Sequence, residues 1–208
     1  NNIMILKNFM NNRIAIIGAG GHGKVVGEIA LLNEYKLIDF FDDRAKKIKE
    51  FPFSIIDTLE YLERHLDDYD AFFVAIGNNQ IRSKKIEWLR KNKMNIVSLV
   101  HPKSTISKFS SIEMGTCVMA NAVVNAGSIV KEGVIINTSA SVDHDCLIED
   151  FAHVSPNCSL SGSVRIGKFT HLGTGTSVYP GINIGNNVKC GIGSKVFKNI
   201  LDDSIYKS

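Results

Sequence analysis

The sequence predicts two joined architectures, a small doubly wound α/β domain over residues 13–102 and an all-β parallel β-helix of hexapeptide repeats over 103–200. Three observations predict them. Every sixth residue is apolar along Ile106, Ile112, Val118, Val124, Val130, Ile136, Val142, Ile148, Val154, Leu160, Ile166, Leu172, Val178, Ile184, Cys190 and Val196. Two residues ahead of each stands, with few exceptions, a small residue, as at Ser104, Ser110, Thr116, Ala122, Ser128, Ala140, Cys146, Ala152 and Cys158. Residues 13–100 instead alternate short apolar runs with helical spacing. Neither a helix nor a pleated strand repeats every six residues. A coil that turns a corner every six residues does, because the same position then points inward on every face.

The α/β elements follow in order. Arg13 to Ile17 is a short apolar strand, stopped by Gly18-Ala19-Gly20-Gly21-His22-Gly23. Val25, Val26, Ile29, Ala30 and Leu32 give the next helix its apolar face. Leu37 to Phe41 is a second strand, ending in Asp42-Asp43, and Asp57 is placed to cap a helix carrying Leu59, Leu62 and Leu66. Ala71 to Ile76 is continuously apolar, as a strand buried on both faces requires. Gly77-Asn78-Asn79 turns the chain into a helix with Ile81, Ile86 and Leu89; Ile96 to Val100 closes the set and His101-Pro102 marks the exit. At three corners per turn, sixteen hexads make about five turns of a triangular coil. Its terminal strand edges need a cover, and the α/β domain can cap the N-terminal end. Flat faces favour association, as a trimer.

Composition excludes several functions. The net charge of +3 comes from 24 basic and 21 acidic residues well interspersed, without the basic stripe a nucleic-acid partner needs. No run approaches the ~20 apolar residues of a membrane span. Residues 1–12 lack the features of a secretory leader. Cys117, Cys146, Cys158 and Cys190 have no metal-type spacing and sit mostly in packing registers, which fits reduced thiols and a cytoplasmic place. The coil histidines His144, His153 and His171 lack short ligand spacing, so no metal is expected.

Two motifs carry chemistry. Gly18-x-Gly20-x-x-Gly23 follows a strand and opens a helix, a Rossmann-like turn whose backbone can approach a phosphate at the helix N-terminus. Asp42 or Asp43 lies nineteen or twenty residues past Gly23, at the end of the next strand. A dinucleotide and a uridine diphosphate group would use the same physics, but a domain of about ninety residues is half a full dinucleotide fold and holds one nucleotide more easily than two. In the coil, His144 lies off both packing registers with Asp145 beside it: an imidazole base with a carboxylate to orient it. Cys146, in the small register, reads as packing.

Gly18 to Val26, the stretch Phe73-Val74-Ala75-Ile76-Gly77-Asn78-Asn79-Gln80-Ile81-Arg82, and Asn137-Thr138-Ser139 followed by His144-Asp145 and Phe151-Ala152-His153-Val154 together resemble, in order and spacing, the sugar acetyltransferases with a left-handed β-helix. That family includes UDP-4-amino-sugar N-acetyltransferases of bacillosamine synthesis, perosamine N-acetyltransferases and sialic acid O-acetyltransferases. The resemblance implies that His144 is the general base and that Asp145, where the bacillosamine branch typically has Glu, orients it. It implies that Gly18, Gly20, Gly21, His22, Gly23, Asp42 and Asp43, with Gly77, Asn78, Asn79 and Arg82, hold the nucleotide sugar. Asn137 and His153 would line the acetyl and sugar pocket, the N–H of Gly162 would face the thioester carbonyl, and Gly173 through Gly191 would follow coenzyme A. The implied partners are acetyl-CoA and a nucleotide-linked amino sugar, with active sites between subunits of a homotrimer. N-acetylation of a UDP-linked 4-amino sugar is the first expectation. O-acetylation of a sialic acid and N-acetylation of GDP-perosamine stay open within the family, and a nicotinamide-dependent oxidoreductase or a non-catalytic scaffold outside it.

Overall fold

The computed structural model describes residues 12–207. The reading of residues 1–11 as no leader lies outside them. Four parallel strands form the α/β sheet: β1 (Arg13–Ile17), β2 (Leu37–Phe41), β3 (Ser54–Asp57) and β4 (Ala71–Val74), in the order β3-β2-β1-β4. Three helices accompany them, α1 (Gly21–Leu32), α2 (Leu59–Glu63) and α3 (Asn79–Lys91). β1 and β4 read as unbroken apolar runs because both their faces are covered. Ile14 and Ile16 pack with Val26 and Ile29 of α1, while Ala15 and Ile17 pack with Leu62, Ile86 and Leu89 on the other side. Two elements differ from expectation. The short, half-exposed β3 is an added edge strand. Leu66 falls after α2 in a separate 3₁₀ turn, and α2 is capped by Asp43, whose Oδ1 accepts the Leu59 N–H at 3.1 Å, rather than by Asp57.

The closing strand also divides differently. Ile96 bridges Phe72 of the α/β sheet, but β5 (Leu99–Val100) pairs in parallel with Cys117–Val118 and is the first strand of the coil. From Thr105–Ile106 to Lys195–Val196 a two-residue strand recurs every hexad, and each pairs with the strand three hexads on. The result is three flat faces of five, six and seven strands, the last completed by Ile205–Tyr206. The predicted inward residues from Val118 onward are buried, including Val124, Val142, Ile148, Leu160 and Leu172 at 0–1% exposure. Each such side chain contributes about 1.5–3 kcal/mol by leaving water.

The small register has a second role. Thr116 Oγ1, Ser128 Oγ, Cys146 Sγ, Cys158 Sγ, Thr170 Oγ1 and Thr176 Oγ1 each donate to the carbonyl fifteen residues on, satisfying backbone that the corner would leave unpaired. A third register sits at the corner itself. Every sixth residue from Gly115 to Gly193 has a positive φ, occupied by Gly, Asn, Asp or Ser except at Phe151 and Phe169. Those two rings stack at 5.5 Å and pack into the α/β core, which accounts for the bulk at strained corners.

The α/β domain does not cap the end of the coil as expected. It lies along the outer side of the seven-stranded face, where Leu99, Cys117, Met119 and Ile135 join its core. Further along, side chains from α3 reach Gly133, Phe151 and Phe169. The continuation of that face carries the half-buried His153 and then the exposed His171.

Candidate active site

The first site forms at the C-terminal ends of β1, β2 and β4, where strand order reverses and open α/β sheets leave a crevice. A cavity of about 540 Å³ is bordered there by Gly18, Gly20, Gly21, His22, Asp42, Asp43 and Gly77 of the predicted set. The glycines divide the work. Gly18, at φ +108°, would place a Cβ 2.8 Å from the Ala75 carbonyl and so lets the turn close on the end of β4, while a Cβ on Gly23 would collide with the Gly18 carbonyl, so Gly23 lets α1 pack closely on the turn. Around Gly20 and Gly21 the space is open. No side chain caps α1, so its first-turn N–H groups, with the positive end of the helix dipole, face the cavity.

Asp42 holds this turn together rather than waiting for a ligand. Its Oδ2 accepts the Ala19 N–H at 3.0 Å, and Arg44 bonds both oxygens. The Arg44 hydrogen bonds hold its carboxyl below the usual carboxylate range. Arg44, Ile81 and Lys85 also line the cavity and were not anticipated. Arg44 had a sequence signal, its place two residues after an acid at a strand end; Lys85, one helical turn from Ile81, had only its spacing.

The motif from Gly77 to Arg82 splits. Gly77 borders the cavity, Asn78 caps α3 by accepting the Ile81 N–H at 3.0 Å, and Asn79 donates to the Phe169 carbonyl at 2.8 Å. Arg82 is 1% exposed and turns away from the cavity into the coil. Asn79 and Arg82, expected to touch substrate, are instead buried in the join between the two domains.

His22 and His153 meet near that join. Burial, reinforced by the Arg82 charge, pushes His22 down to about 4, and its Nε2 has no hydrogen-bond partner among the described residues. His153 is pushed down to about 3 by burial, with His171, Arg82 and His22 adding to it. Its Nε2 lies 3.1 Å from Asn137 Nδ2, the Gly77 backbone also reaches the ring, and the ring stacks on His171 at 4.6 Å. Burial thus keeps both imidazoles neutral, and of the two only His22 borders the cavity. Asn137, Ser155, Gly173 and Gly191 recur at eighteen residues beside the seven-stranded face, and a Cβ on Gly173 would lie 2.6 Å from Gly191, so this strip stays narrow and flat.

His144 stands elsewhere, on the corner between the six-stranded and five-stranded faces. Asp145 takes the left-handed conformation at φ +57°, which turns its carboxylate back to His144 Nδ1 at 2.8 Å. Asp143 Oδ1 accepts the His144 N–H and is itself held by Asn125. The bond to Asp145 and the charge of Asp143 raise the His144 pKa above its ordinary value, and the ring is 60% exposed. The ring lies over Gly162, where a Cβ would sit 2.5 Å from both Cε1 and Nε2. An open groove of about 580 Å³ passes Asp143, His144, Ser161, Gly162, Ser163 and Pro180. A base with one nitrogen oriented and the other free over a bare backbone suits proton removal beside a carbonyl. Cys146 donates to the Ser161 carbonyl at 3.3 Å, and burial pushes its thiol up, the opposite of an activated nucleophile. Among the described residues no group of three or more His, Cys, Asp or Glu could hold a metal, and no helix is long and apolar enough to cross a membrane.

Comparison with known proteins places these features. The PglD N-terminal domain family matches residues 13–89. The acetyltransferase domain of PglB from Neisseria gonorrhoeae FA1090 superposes with a TM-score of 0.90 at 42% identity, over 95% of this chain and 97% of that one. The chain belongs to the hexapeptide-repeat sugar acetyltransferases. Its coil is accordingly a left-handed parallel β-helix. The same Neisseria domain in complex with acetyl coenzyme A aligns at 40% identity with a TM-score of 0.91, over 96% of this chain and 97% of that one. PerB from Caulobacter crescentus, in complex with CoA and GDP-perosamine, aligns at 30% identity with a TM-score of 0.88, over 94% of each chain. UDP-N-acetylbacillosamine N-acetyltransferase of Bacillus subtilis (strain 168) is 38% identical over 111 residues, 51% of each chain, so the match spans about half the length of that curated relative.

Proposed function

We propose that the chain transfers the acetyl group of acetyl-CoA to the 4-amino group of a UDP-linked amino sugar of the bacillosamine type. The observation that carries this reading is His144, held by Asp145 with Nε2 free over Gly162 in an open groove. The sugar amine attacks the thioester carbonyl, and His144 Nε2 takes the proton as the C–N bond forms. The Gly162 N–H, which makes no backbone hydrogen bond among the described residues, faces the developing oxyanion. Collapse breaks the C–S bond, and the imidazolium returns its proton to the departing thiolate. No covalent enzyme intermediate is required.

The glycine turn and the α1 N-terminus would take the diphosphate of the donor nucleotide, with Asp43 and Lys85 at the cavity rim. Asn137, His153, Gly173 and Gly191 form the second strip along which coenzyme A would lie. Within one chain the sugar cavity and His153 adjoin the seven-stranded face, while His144 is on the opposite corner. That separation supports a homotrimer in which His144 of one copy serves the sugar cavity of the next. Four unpaired, buried cysteines fit a cytoplasmic setting.

The test is release of coenzyme A thiol by the full chain supplied with acetyl-CoA and, in separate arms, a UDP-linked 4-amino sugar, a GDP-linked 4-amino sugar and free sialic acid. The UDP arm is expected to be fastest. Fastest turnover in the GDP arm would reassign the nucleotide, and turnover of free sialic acid would reassign the reaction to O-acetylation. Absence of release with every nucleotide-linked amino sugar would sink the reading.

A further inference from the structure

Arg82 is the most buried charge in the described chain, and no carboxylate meets it. Its guanidinium is satisfied by neutral acceptors from both domains. Nη1 donates to the carbonyls of Ile76 and Gly77, the wall of the sugar cavity, at 2.9 and 3.1 Å. Nε donates to the Gly133 carbonyl at 2.7 Å, and Nη2 to the Phe151 carbonyl at 2.8 Å and the Asn79 side chain at 2.9 Å. Asn79 in turn donates to the Phe169 carbonyl. Gly133, Phe151 and Phe169 are the same corner on three successive turns of the coil, all with positive φ. One planar fork therefore ties the cavity wall to two turns directly and, through Asn79, to a third, and the chain leaves Phe151 directly for Ala152 and His153.

A buried charge with only dipoles for partners is an expensive fastener. Apolar packing across the same join, already supplied by Leu99, Cys117 and Ile135, would hold the domains together without it. What packing lacks is direction, which a fork with fixed donor angles supplies. Burial lowers the guanidinium to about 9, so it remains charged at neutral pH.

We propose that Arg82 is a positioning residue for the reaction: it fixes the Ile76–Gly77 wall of the sugar cavity against the coil at His153, so that a nucleotide-anchored sugar reaches the acetyl thioester in register. The inference rests on the reading of that cavity as the nucleotide-sugar site. A substrate anchored in the α/β cavity depends on this register, whereas a small amine that diffuses to the thioester does not. Misplacement by about 1 Å at a positioned substrate lowers turnover by about 100-fold.

The experiment compares wild type, Arg82→Lys and Asn79→Ala in the full chain, each with a UDP-linked 4-amino sugar and with the same amino sugar lacking the nucleotide. Arg82→Lys keeps the charge and loses the fork. It is expected to lower kcat/KM for the nucleotide-linked sugar by about 10- to 100-fold, leave KM for acetyl-CoA unchanged, and leave the slow turnover of the free amino sugar within about twofold. Asn79→Ala, which removes one acceptor and keeps the fork, should give the same pattern at smaller size, and decides the matter should the lysine variant not fold. If both sugars lose rate equally, or neither does in a folded variant, Arg82 is structural only and the inference falls. If wild type shows no preference for the nucleotide-linked sugar, the reading of the cavity falls and takes the inference with it.

Discussion

Gly162→Ala is the most discriminating single substitution this structure suggests. Gly162 does not have a positive φ, so alanine suits its backbone, and the nearest atoms to the added methyl all belong to the His144 ring. The Cβ would lie 2.5 Å from Cε1 and Nε2 and 3.2 Å from Cδ2, against an ordinary carbon contact of about 3.5–4.0 Å. The imidazole must therefore retreat by about 1 Å, measured against that contact distance. Because the ring is mostly exposed, it can do so without disturbing the core, and stability should stay within about 0.5 kcal/mol of wild type, as for other surface changes. The retreat moves Nε2 off the backbone it stands over and strains the 2.8 Å bond to Asp145. For a base that must sit within hydrogen-bond reach of the attacking amine, a displacement of that size lowers kcat by about 100-fold. The assay is steady-state coenzyme A release beside a thermal melt. A Gly162→Ala protein that melts normally and keeps more than half of wild-type kcat would refute the placement of chemistry at His144.

Two further outcomes follow from the ionisation of the histidines. Because Asp145 and Asp143 raise His144, its base form predominates only above the ordinary value of ~6.5, so the acid limb of kcat/KM should lie above that pH, and Asp145→Asn should move it down. A limb unchanged by the substitution would show that another group titrates. His22 and His153 are held neutral by burial down to about 4 and about 3, whereas in the unfolded chain they bind protons near ~6.5. Their contribution is present above that unfolded value and is lost as pH falls toward the folded ones, by about 1.4 kcal/mol per pH unit each, or about 4 kcal/mol for the pair between pH 7 and 5. Denaturant melts should show this decline and its flattening in His22→Asn/His153→Asn. A wild-type stability flat over that range would contradict the burial of these rings.

The coil was legible because each hexad repeats the same local demand, an apolar side chain inward and a small one before it. The corner register was equally written in Gly127, Gly133, Asn157 and Gly175, but Phe151 and Phe169 break it for a reason that lies in another domain. Val100 continues the six-residue count backward from Ile106, yet His101-Pro102 reads locally as an exit, so strand pairing alone reveals β5 as coil. The glycine turn announced a cavity at the α1 N-terminus because its constraints are local. Asn79 and Arg82 were misjudged because their partners lie up to ninety residues away: a polar residue at a helix start looks the same whether it faces a ligand or a distant carbonyl. His144-Asp145 gained meaning in sequence through resemblance, and in structure through the left-handed Asp145 that folds the carboxylate back onto the ring.

The most direct test of the account is the rate of coenzyme A release from acetyl-CoA and a UDP-linked 4-amino sugar, in wild type and in His144→Asn. The variant is expected to melt like wild type, to bind both substrates, and to lose kcat by at least about 100-fold, the contribution typical of a positioned general base. A His144→Asn protein that turned over at the wild-type rate would contradict the account.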